Sequence, residues 1–212
     1  MEKCIISASF VGVFERPIVK IPNFDTNFCK NLFDTPSETI SFYGPDGFVV
    51  SVKDKIQPIF NVNPLKIVIK VSNKEQLMKI IRLCNNEFEK HDINSNFCAF
   101  GINWEYQYFE LGQDCNKWLW DHFIKSNIDI KCNYKFCSKL NFSFVVSEEQ
   151  TLNISLEPRI GVRDGLFAST NNHYNKQLDL FTNDKMISDY IDSSEILTNE
   201  SLESLLGANC HG

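Results

Sequence analysis

The chain has 212 residues, 43% of them hydrophobic and 23% charged, with nine glycines and seven prolines. This is the composition of an ordinary globular fold, and it excludes a disordered, collagen-like or low-complexity chain. The formal net charge is −6 at pH 7, which counts against nucleic acid as the main partner, and no apolar run approaches the ~18 residues of a membrane span.

Taken in order, residues 4–14, CIISASFVGVF, are apolar and β-prone and predict a strand. Residues 15–37 contain Pro17, Pro22 and Pro36 and predict an irregular connection with one helical turn at Thr26–Phe33. Two β-rich runs, Glu38–Tyr43 and Phe48–Lys53, flank Gly44-Pro45-Asp46-Gly47 and predict a hairpin. Short strands are expected at Ile56–Phe60 and Leu65–Val71. In the second, Leu65, Ile67, Ile69 and Val71 form an apolar face opposite Lys66 and Lys70.

The spacing then predicts a helix over Asn73–Lys90. Ser72 and Glu75 read as a capping box, and Leu77, Ile80, Ile81, Cys84 and Phe88 fall on one stripe. Phe97–Phe109 predicts a long aromatic strand with Trp104, Tyr106 and Tyr108 on one face and Gly101 at a bulge or close approach. Asp114 caps a second helix to about Lys125, with Cys115, Trp118, Leu119, His122 and Phe123 inward. Strands are expected within Ile128–Ser147, at Leu152–Arg159 and at Gly165–Thr170. A polar connection over 171–183 and two short helices, Asp184–Ile191 and Thr198–Leu206, complete the chain, with Gly207 as a stop.

The fold class this predicts is α+β: a mostly antiparallel β-sheet, either one sheet or two packed sheets. Helices at about 73–90 and 114–125 cover one face, and short helices end the chain. The length suits a single domain over 1–212, or two subdomains at about 1–110 and 111–212.

The N-terminal MEKCIISASFVGVFERP has neither the long apolar core nor the small-residue cleavage site of an export signal. The expectation is therefore a cytoplasmic protein whose eight cysteines are reduced. Cys132-x4-Cys137 does not have knuckle spacing, and on a strand it would put the two thiols on opposite faces. Neither a metal nor a cofactor is expected. Phosphate-loop, nucleophile-elbow and HExxH patterns are absent from the sequence.

The stretch 153–175 holds two of the four arginines of a lysine-rich chain. Arginine offers planar bidentate geometry that lysine does not. Glu157, Arg159, Arg163, Asp164, His173 and Tyr174 are thus candidates for an anion or carboxylate site, set against the plainer reading of ion pairs at a strand end. The aromatics have two readings as well, as core filler or as contact surface. Trp118 and Trp120 are two apart and cannot both face inward on an α-helix, so Trp120 is expected to be exposed. With Trp104 it is a candidate interface anchor.

Residues 176–212 carry seven acids and two lysines, net −5, and residues 1–175 carry 20 acids and 19 bases, net −1. The acidity is concentrated at the C-terminus, as a solvated tail or as a surface for a basic partner. The ending ILTNESLESLLG and the β/α layout resemble small bacterial proteins, without a motif that carries a residue role. The functional expectation is a non-enzymatic interaction protein (adaptor, inhibitor or immunity type) with another protein as partner and a homodimer as the base-rate assembly. The alternative is a small hydrolase or transferase, or a nucleotide- or RNA-binding protein, using the anion site at Arg159–His173.

Overall fold

A computed structural model describes residues 1–22, 24, 28, 31–32, 39–44, 47–52, 59–94, 96–125, 136–179 and 184–207. The strands are β1 (Glu2–Phe14), β2 (Thr39–Gly44), β3 (Gly47–Val52), β4 (Ile59–Val62), β5 (Lys66–Val71), β6 (Asn96–Phe109), β7 (Leu140–Val145), β8 (Gln150–Pro158), β9 (Leu166–Tyr174) and β10 (Leu178–Asp179). They form one antiparallel sheet in the order β2-β3-β4-β5-β1-β6-β9-β8-β7, with β10 added to the end of β6. On one face lie the helices α1 (Lys74–Lys90), α2 (Cys115–Leu119, continued by a π-turn Trp120–Ile124) and α3 (Asp184–Leu206). The fold is α+β, with a single sheet rather than two packed ones.

The topology repeats itself. A long strand (β1, then β6) is followed by helical structure, an antiparallel meander that returns to pair with that strand (β5 on β1, β9 on β6), and a long helix. β1 and β6 pair with each other along nearly their whole lengths. The two halves, 2–90 and 96–206, are therefore related by a pseudo-two-fold between these central strands, although their sequences show no periodic repeat.

The pleat sends alternate residues to the covered face, where Phe10, Phe14, Phe60, Ile67, Ile69, Phe100, Ile102, Trp104, Tyr106 and Tyr108 are almost fully buried. Phe24, Phe28, Phe48 and Phe60 stack under one end of the sheet at centroid distances of 4.4–6.1 Å. Burying each such ring contributes ~1.5–3 kcal/mol. Gly12 makes room for this packing, because a Cβ there would sit 2.5 Å from the Phe97 ring.

Several expectations change. Asn73, not Ser72, caps α1, its Oδ1 accepting from Gln76 N–H; the Ser72 hydroxyl donates to Gln76 Oε1 instead. The polar residues 171–174 continue β9 rather than forming a connection, since Asn172 is buried and hydrogen-bonded to α3. The C-terminal helix is continuous to Leu206, and Gly207 ends it at φ +83°. Asp114 caps α2 through the N–H groups of Asn116 and Lys117. Burial alone would push its carboxyl up, but those N–H groups, the Asn116 side chain and the Arg163 charge hold it below its ordinary value. Of the turn expected at 26–33, Phe28, Asn31 and Leu32 are helical. The remainder of that turn, Pro45-Asp46 and the first part of the 128–147 strand lie outside the described residues.

Trp104 and Trp120 are not exposed anchors: their exposures are 0% and 6%. Trp104 lies on the covered face and donates its Nε1–H to Ser194 Oγ at 2.9 Å. Trp120 turns inward beside Leu119, its own N–H still bonded to Asn116 O in ordinary helical fashion, and the helix widens just beyond it. Lys125 N–H bonds to Trp120 O, an i→i+5 step that shifts the phase of the residues after Trp120, leaving His122 exposed. Trp118 becomes the partly exposed one, stacked at 4.7 Å on an exposed His122 whose Nε2 donates to Leu205 O. His122 is thus a surface residue rather than a buried one.

Candidate functional site

The open face of the sheet is polar where the second half meets β1. Cross-strand registers place Ser143, Asn153, Asn171, Asn103, Ser9 and Lys70 in one row from β7 to β5. The next row holds Asn141, Ser155, Ser169, Glu105 and Ser7. All of these except Lys70 and Ser7, which flank it on the β1 side, line a groove of about 550 Å³. Within it Asn171 donates to Asn103 Oδ1, and Asn103 donates to Ser9 Oγ at 2.9 Å. Gly101 permits this arrangement, since its missing Cβ would stand 3.0 Å from Asn171 Nδ2. It marks a close approach in a regular register, not a bulge.

The one carboxylate of these rows is already engaged. Glu105 accepts from Ser7 Oγ at 2.6 Å and pairs with Lys70 Nζ at 2.7 Å. The groove therefore presents hydroxyls and carboxamides with a neutralised charge at one side. Its chemistry is hydrogen bonding without a poised nucleophile or proton carrier, and it matches the solvated face of an antiparallel sheet.

The edge beside this groove is different in kind. β7 is the last strand of the sheet, and among the described residues no strand pairs with its outer side. Its sequence, LNFSFV, is uncharged and lacks proline. Edge strands normally carry lysine, proline or a bulge that discourages further pairing, and β7 has none within its length. Phe144, Val145 and Val146 are 39%, 82% and 43% exposed. On the covered side, Phe142 stacks on Phe144 at 6.3 Å and touches Phe123 at 5.6 Å, and Phe123 touches Trp118 at 6.0 Å. An aromatic strip thus runs from α2 to the bare edge.

The structure divides the residues expected to form an anion site. Glu157 and Arg159 border a cleft of about 480 Å³ with Gln107 and Phe167. There Glu157 pairs with Lys139 at 3.5 Å and the Arg159 guanidinium lies 4.8 Å from the Phe109 ring. Arg163 reaches away to Asp114 at 3.5 Å with its side chain 85% exposed, while Asp164 serves the turn through its carbonyl, which accepts from Leu111 N–H. His173 and Tyr174 lie at the other end of β9, about 23 Å along the strand from Leu166. They also face opposite ways, with His173 exposed and Tyr174 buried against Phe100 and Tyr190. Burial pushes the Tyr174 phenol up to about 12. The six residues thus form no single constellation.

The signal that the residue-by-residue reading missed was present as LNFSFVV, 140–146, an uncharged run between Lys139 and Glu148. A strand was expected there, but its place at the end of the sheet is set by strand order, which no local pattern encodes. Comparison with known proteins finds no match, either to a protein-family model or to a curated protein.

Proposed function

We propose that this is a non-enzymatic interaction protein, of adaptor or inhibitor type, whose contact element is the edge strand β7. The observation that carries the reading is an uncharged, proline-free terminal strand that ends on exposed Phe144 and Val145 and is followed by exposed Val146. Such an edge pairs with an extended segment through main-chain hydrogen bonds, and its side chains select among candidates. The Phe142–Phe123–Trp118 strip supplies an apolar shelf on one side, and the Asn/Ser rows supply a polar one on the other. Burying Phe144 and Val146 gives a driving force that isolated strand pairing lacks.

A strand peptide N-methylated along one edge tests this, because it can pair on one side only. Titrated into the isotope-labelled full chain, it should shift the amide resonances of Asn141, Ser143 and Val145 and slow their exchange. Shifts confined to another surface, or none at all, overturn the reading.

A further inference from the structure

We infer that the strand β7 accepts is β7 of a second copy of this chain, giving a two-fold dimer with one continuous sheet. This rests on the reading of β7 as the contact element and names its partner. Val146 N–H bonds to Gln150 O, and the β7–β8 register pairs Val145 with Thr151. Even-numbered residues of β7 therefore direct their N–H and C=O groups toward β8, and Asn141, Ser143 and Val145 direct theirs outward.

Antiparallel pairing of two β7 strands with Ser143 on the axis sets Asn141 opposite the second copy's Val145, and Ser143 opposite Ser143. All the outward groups are used in that register. The same register sets Phe142 opposite Phe144 and Leu140 opposite Val146 on the covered side, so four apolar residues of each copy meet only apolar residues.

Charge points the same way. Two chains of net −6 repel, but this contact brings no like charges together within the paired segment. Lys139 at the start of β7 falls opposite Ser147 of the second copy, beside its Glu148-Glu149 turn. A contact that maps onto itself is what a two-fold interface requires.

The test uses the full chain with Ser143→Lys and Ser143→Glu variants, read by sedimentation velocity. Ser143 is exposed and directs its main-chain groups away from β8, so both variants leave the monomer fold intact, which far-UV circular dichroism checks. The wild type should dimerise. Each variant alone sets like charges directly opposite across the axis and should weaken dimerisation tenfold or more, and an equimolar mixture should restore it.

A dimer indifferent to both variants uses another surface and overturns the inference. So does an assembly of more than two copies, or a wild type that stays monomeric. In that last case the one-sided strand peptide separates the two readings: binding at β7 leaves the edge as the contact element with a different partner, and no binding removes both.

Discussion

The two long helices occupy equivalent places in the pseudo-repeat and dock by different chemistry. α1 follows the strand beside β1 and buries Leu77, Ile80, Ile81, Cys84 and Phe88, an almost wholly apolar stripe. α3 follows the meander beside β6 and buries Ile187, Ile191, Leu202 and Leu206, but with Ser194 and Thr198 in the middle. There Ser194 Oγ accepts from Trp104 Nε1–H, Thr198 Oγ1 accepts from Asn172 Nδ2 at 2.9 Å, and Thr170 Oγ1 lies 3.4 Å from Thr198 Oγ1. Apolar burial is non-directional, whereas a buried hydrogen-bond network is satisfied in one register only. α1 is fixed by the amount it buries, and α3 by where it sits along the sheet.

The largest expected effect comes from the apolar helix. Phe88 packs edge-on against Phe14 and Phe24 at 6.1 and 6.3 Å, so Phe88→Ala opens a cavity beneath the first half. It should destabilise the fold by about 3–5 kcal/mol, measured as a lowered urea midpoint with an unchanged slope. A change below 1 kcal/mol would mean that α1 is not held by its apolar stripe.

The polar helix should respond differently. Ser194→Ala strands a buried indole N–H and should cost about 1–3 kcal/mol. Trp104→Phe in the same background removes the stranded donor, so the two changes together should cost less than their sum. Additive losses would show that the Trp104–Ser194 bond is not the link that locates α3.

This contrast also explains what the sequence reveals. α1 is legible because five apolar residues recur at helical spacing. α3 reads as two short helices because its inward face turns polar at Ser194 and Thr198 while Ile196 is 58% exposed. Only the partners on β6 and β9, remote in sequence, make that pattern helical throughout. The outward turn of His122 has a related reason, since the π-turn after Trp120 is a tertiary adjustment that residue spacing does not foresee. The anion-site residues lie close in sequence, but β9 carries them apart. The edge status of β7 depends on strand order alone.

Thiol chemistry sharpens the comparison at a finer scale. Cys84 lies in the middle of the α1 stripe and Cys115 at the start of the short α2, and burial pushes both thiols up, Cys115 to about 12. Neither reacts without opening. Peptide-resolved alkylation should label exposed Cys4 and Cys98 first, then Cys115, then Cys84. Cys84 labelling before Cys115 would make α1 the looser helix, reversing the order that the length of its stripe implies.

The smallest effect belongs to the joint between the halves. Lys74, at the start of α1, reaches Asp192 and Glu195 of α3 at 2.7 and 2.8 Å. Hydrogen bonds to Asp192 and then Glu195 raise its pKa above the ordinary lysine value, against a lowering by burial. A raised folded-state pKa stabilises the fold fully below the unfolded value and ceases to do so as pH climbs through the folded one. The contribution is therefore constant at neutral pH and disappears only in the alkaline range above 10.5. The Lys74 side chain is 39% exposed, so solvent screening keeps the effect to about 1 kcal/mol or less. Lys74→Met should lower stability by that amount at pH 7, and the difference from wild type should shrink as pH rises past the lysine range. A loss as large as that of Ser194→Ala would instead place the registration of α3 in this ion pair, and would move the lock from the buried face of the helix to its rim.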